Sequence, residues 1–81
     1  MRDEGRINEL LELIATIWSR DPDMRFNQLI YMLQSEFSRE NGGEGAVEET
    51  VDQSYSRVGF DLFGLEDDRF IEFLQKKVRH G

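Results

Sequence analysis

Cysteine is absent from these 81 residues, which removes disulfides, thiol nucleophiles and cysteine-based zinc sites together. In a small chain the same absence argues for a reducing compartment, so a cytoplasmic location is expected. Histidine occurs once, as the penultimate His80, where chain ends fray and a catalytic base is poorly held. Acid-base chemistry would then fall to carboxylates alone, and among seventeen of them pairs such as Glu48 and Asp52 arise by chance. An enzyme is not expected. No apolar run approaches the roughly 18 residues that span a bilayer, and the polar opening has no leader pattern, so the expectation is a soluble, unexported chain. Net positive charge is missing too: ten Lys and Arg against seventeen Asp and Glu leave a formal charge of -7, which repels a phosphate backbone. The densest basic group, Lys76, Lys77 and Arg79, falls where a last helical turn would end and where cations offset the helix dipole. Nucleic acid is not an expected partner.

What is present favours folding. A chain of this length hides only about 60 to 65% of its unfolded surface, so each large side chain counts. Six Phe, two Tyr and one Trp supply much of the available apolar area.

The single proline organises the first half. Ile7, Leu10, Leu11, Ile14, Ile17 and Trp18 repeat at helical spacing before Pro22, and Phe26, Leu29, Ile30, Leu33 and Phe37 repeat after it. A first helix is predicted from about residue 4 to Ser19, with Asp3 as cap, and a second from near Pro22 or Met24 to about Arg39. The reading is a helical hairpin folded at the Pro22 corner, with Trp18 in its core and Arg25 paired locally with Asp21 or Asp23.

Residues 40–46 hold three of the seven glycines and read as a flexible loop. From Val47 to Val58 the apolar residues 47, 51, 55 and 58 fit a middle helix with a thin apolar edge, or a polar linker. Phe60, Leu62 and Phe63, crowded between Gly59 and Gly64, read as a non-helical apolar plug. A last helix over 66–79 is predicted from acids at 66–68, the stripe Phe70, Ile71, Phe73, Leu74 and Val78, and basic residues at its end. The expected fold is therefore one all-α domain, residues 1–81, of three to four helices built on the N-terminal hairpin.

Ligand motifs fail on inspection. Asp61 to Glu72 is twelve residues long, as a calcium-binding EF-hand loop is, but Phe63 and Leu65 occupy ligand positions and Glu66 stands where the turn needs glycine. Gly42-Gly43-Glu44-Gly45 lacks the Lys and Ser or Thr of a phosphate loop. No metal or cofactor is expected.

Ile17, Trp18, Pro22, Asp23, Arg25, Phe26, Gln28, Leu29 and Ile30 form one block, and Asp61 to Leu74 a second. The pair, covering about half the chain, resembles a family of small uncharacterised bacterial and phage proteins. That resemblance implies a small helical domain of prophage type and transfers no activity, ligand or catalytic residue.

Function is then a matter of surface. Tyr31 lies off the central stripe of its helix and, with Met24, Arg25 and Met32, makes the candidate interaction surface, aromatic, Met and Arg residues being enriched at interfaces. The expectation is a protein-protein interaction module, an acidic adaptor or inhibitor that docks on a basic protein. The alternative is a homodimer that buries surplus aromatic surface across a two-fold axis.

Overall fold

The element order along the chain is α1 (Gly5–Ser19), α2 (Phe26–Glu40), β1 (Ala46–Asp52), β2 (Tyr55–Phe60) and α3 (Asp67–His80). The computed structural model describes residues 3–52 and 55–80. Two compact units share these elements: unit 1 is Met1–Phe26 with Leu65–Gly81, and unit 2 is Asn27–Gly64.

Unit 1 is a helix pair. The cap of α1 is Glu4 rather than the expected Asp3, which sits one residue earlier, its carboxylate accepting the Gly5 N–H at 2.9 Å and its carbonyl the Arg6 N–H at 3.3 Å. The partner of α1 inside this unit is α3. The pair is tied start to start by Arg6 and Asp67, 2.7 Å apart, and end to end by the Arg20 guanidinium, which donates to the carbonyls of Val78 at 2.9 Å and Lys77 at 3.4 Å. Arg20 thereby supplies donors to carbonyls in the last turn of α3, which have no partner within the helix. The two helices accordingly run in the same direction. Ile17, Ile71, Phe73 and Leu74 are buried, whereas Ile7 and Leu11 of the expected α1 stripe are exposed.

The sequence does not name this pairing. Periodicity shows that a helix has an apolar stripe but not what the stripe meets, and in unit 1 the stripe of α1 meets α3. Pro22 does end the first helix. Asp21 to Met24 form a turn closed by the Met24 N–H on the Asp21 carbonyl at 3.1 Å, and α2 starts only at Phe26. Trp18 is half-buried rather than central: its indole N–H donates to the Met24 carbonyl at 2.7 Å and its ring lies 5.6 Å from that of Phe26, clamping the turn.

Unit 2 is α2 followed by a hairpin of strands. Leu29, Leu33 and Phe37 of α2 are buried, along with Ser38, while Phe26, at the start of the same stripe, is half exposed. The glycine-rich segment stops the helix by a defined route. Gly42 takes φ +69°, and the Gly43 N–H returns to the Ser38 carbonyl at 2.7 Å, the long bond of a Schellman ending. Asn41 adds a side-chain bond to the Phe37 carbonyl at 2.9 Å.

The middle helix is overturned, and with it the all-α class: residues 46–52 and 55–60 form a two-stranded antiparallel sheet. Val47, Thr50, Val51, Tyr55 and Val58 are residue types that favour a pleated backbone over a helix. Asp52 pairs with Tyr55, and the register shifts between Thr50 and Asp52; Gln53 and Ser54, also within the expected helix, lie outside the described residues. At the base of the hairpin Gly45 has φ +81°, and its carbonyl accepts the Asp61 N–H at 2.7 Å. A methyl group there would collide with the Leu62 side chain and come within 3.1 Å of the Asp61 carbonyl. The expected plug is thus split. Phe60 ends β2, Leu62 fills the space Gly45 leaves, and Phe63 is 99% exposed on a turn whose N–H bonds the Asp61 carboxylate at 3.2 Å.

Candidate functional site

The four residues of the expected interaction surface fall into two pairs, one in each unit. In unit 1, Met24 is half-buried with its carbonyl held by Trp18, and Arg25 is exposed beside it. In unit 2, Met32 is half-buried and Tyr31 is 52% exposed. Tyr31 has a specific task that helical periodicity did not disclose. Its hydroxyl donates to the Val58 carbonyl at 3.1 Å, and its ring meets Phe60 edge-on at 5.3 Å, so α2 is fastened to β2.

The bond from the Asp61 N–H to the Gly45 carbonyl fixes the alternation of the ladder. Positions 45 and 61 are a hydrogen-bonded pair, so Val47 with Gly59 is the next, and the intervening pairs turn their backbone groups away from each other. The outward-facing backbone positions are Ala46, Glu48 and Thr50 on β1 and Ser56, Val58 and Phe60 on β2. Tyr31 occupies one outward acceptor of β2, at Val58. On β1, the Ala46 N–H is held by the Gly43 carbonyl at 3.1 Å, and no third strand lies beside Glu48 or Thr50 among the described residues.

The side chains sort by the same alternation. Phe60, Val58 and Glu48 project to the face that carries the Tyr31 contact, and Val47, Tyr55 and Arg57 project to the other. Val47 and Tyr55 are both exposed, Tyr55 by 57%. No signal short of recognising the hairpin could have located this face, because it exists only once 47–58 is read with a period of two.

Unit 1 carries an open groove of about 640 Å³ lined by carboxylates, among them Glu9, Asp67 and Glu72, over Ile71. Several of its acids are already engaged, among them Asp67 by Arg6, Glu9 by the Gln75 amide at 2.7 Å, Asp3 by the Gly5 N–H and Glu72 by Lys76. No group of three or more His, Asp or Glu placed to hold a metal ion occurs among the described residues. His80 is exposed in the last turn of α3. No helix among the described residues is long and apolar enough to cross a membrane. No family model, curated protein or solved structure matches this chain.

Proposed function

We propose that this chain is a protein-protein interaction module, an acidic adaptor or inhibitor that binds a basic partner protein and carries no catalysis of its own. The observation that carries the reading is the apolar surface left in solvent on unit 2. Phe63 is 99% exposed, and Tyr55 and Val47 stand out from one face of the two-stranded sheet, with Val58 exposed on the other. Such a hairpin is marginal alone, and exposed aromatic and β-branched residues on it are the kind of surface that partners cover. A charge of -7 adds long-range attraction to a basic protein and repulsion from nucleic acid.

Capture on the immobilised full chain, repeated between about 0.05 and 0.5 M salt, tests this, because screening shortens over that range. A basic protein retained at low salt and released as salt rises is the expected result. Retention of nothing at low salt sinks the reading. Sedimentation of the free chain separates the alternative: a mass of 9.5 kDa independent of concentration leaves the exposed residues for a partner, and a tight dimer assigns them to self-association.

A further inference from the structure

We infer that the outer edge of β1 is the docking site, and that its occupant is an extended Lys- or Arg-bearing segment of the partner, added as a third antiparallel strand. This rests on the interaction-module reading and adds where and how the partner sits.

The two edges of the hairpin are not equivalent. At β2 the Val58 carbonyl is bonded to Tyr31, whose ring also stands against Phe60, so α2 obstructs strand addition there. At β1 the outward N–H and carbonyl groups of Glu48 and Thr50 face a side on which no further strand pairs among the described residues. The hydrogen-bonded Gly43–Ala46 turn bounds this stretch on one side and the irregularity after Thr50 bounds it on the other. Natural edges are commonly guarded by Lys and other charges, by proline, by bulges or by very short strands; on β1 the guards are acids and the irregularity after Thr50, which do not repel a basic strand. The segment Ala46–Asp52 has seven residues and contains neither Lys nor Pro. Main-chain bonds along such an edge supply affinity, and alternate side chains supply choice of partner.

Charge selects the occupant. The segment Ala46–Asp52 carries three acids and no base, and Glu44 precedes it. Two copies pairing antiparallel along this edge would bring acid against acid, whereas opposite charges across a strand pair are favourable. A second copy is therefore the wrong occupant and a basic strand the right one.

The test uses the full chain and a seven-residue peptide in which Lys alternates with Thr and Val, against a control with Glu in place of Lys. Residue-resolved amide exchange should show new protection at Glu48 and Thr50 with the Lys peptide and none with the Glu peptide. Glu48→Lys keeps the backbone and should weaken the Lys peptide by about tenfold, since it exchanges an attractive cross-strand pair for a repulsive one. Thr50→Pro removes an outward donor while sparing the β1–β2 ladder, and should abolish the protection at Glu48. Protection at Ser56 and Val58 instead, or binding that leaves Glu48 and Thr50 unprotected, overturns the β1 assignment while a salt-sensitive captured partner keeps the module reading alive. Protection at Glu48 and Thr50 that grows with protein concentration in the absence of peptide overturns the basic occupant in favour of self-pairing. No peptide binding, together with no captured partner, removes both readings.

Discussion

Unit 1 and unit 2 are held together by different means. In unit 1, side chains remote in sequence do the tying: Arg6 to Asp67, Gln75 to Glu9, and Arg20 to the carbonyls of Lys77 and Val78. In unit 2 the ties are mostly backbone: the Gly43 return bond to Ser38, the ladder of β1 and β2, and Asp61 on Gly45, with Tyr31 as the side-chain exception. The difference teaches where substitution should be tolerated. Solvent-facing ion pairs contribute modestly and can be exchanged, whereas a backbone path through a glycine at positive φ admits few other residues.

The largest expected effect tests whether packing, rather than the polar ties, dominates unit 1. Leu74 is fully buried, and Leu74→Ala should cost about 2–5 kcal/mol in chemical denaturation, with amides of α1 and α3 losing protection together. A loss below about 1 kcal/mol would mean that this site is not the packed core it looks to be. Next comes Gly45→Ala, expected to cost about 1–3 kcal/mol and to abolish protection of the Asp61 amide, because φ +81° and the Leu62 collision act together. If the variant melts like the parent, the backbone account of unit 2 is wrong.

Tyr31→Phe keeps the ring contact with Phe60 and deletes only the bond to Val58, so at most about 1 kcal/mol should be lost. Its sharper readout is the carbonyl signal of Val58, which should shift as it loses the Tyr31 donor; an unchanged signal would show that the Tyr31 hydroxyl does not hold the edge of β2. The smallest effect belongs to Glu72→Gln. The Glu72–Lys76 pair is 3.8 Å apart and largely solvated, so thermal unfolding should shift by less than about 0.5 kcal/mol, and a larger drop would point to a role for Glu72 beyond that pair.

The helices were legible because their ends and their periods agree. Asp3 holds the Gly5 N–H one residue before the Glu4 cap of α1, Pro22 follows its end, Gly42 terminates α2, and α3 has Asp67 and Asp68 in its first turn and Lys77 and Arg79 in its last. The strands were not legible because 47, 51 and 55 are four apart, a spacing that satisfies a helical face and a strand face alike. Nor does Asp52-Gln53-Ser54-Tyr55 contain the Asn-Gly or Asp-Gly pair that announces a tight hairpin. The partner of α1 was hidden for another reason. A stripe is a property of one helix, and its pairing with α3 depends on long-range pairs such as Arg20 with the end of α3, which periodicity does not record. Of the candidate surface, Tyr31 is singled out in the sequence by its position off the stripe, but its bond to Val58 depends on a sheet that the sequence pattern concealed.

Unit 2 is one unbroken stretch, Asn27–Gly64, and unit 1 is completed only by residues that follow it. During synthesis every element of unit 2 has been made before α3 exists, while α1, made first, has no α3 to meet until Leu74 and its neighbours emerge. Closing a long loop adds entropy cost only logarithmically with its length, so this order governs timing far more than final stability. Within this chain the usual N-terminal-first schedule does not hold for unit 1: α1 must wait for the whole of unit 2 to be made before its partner α3 emerges.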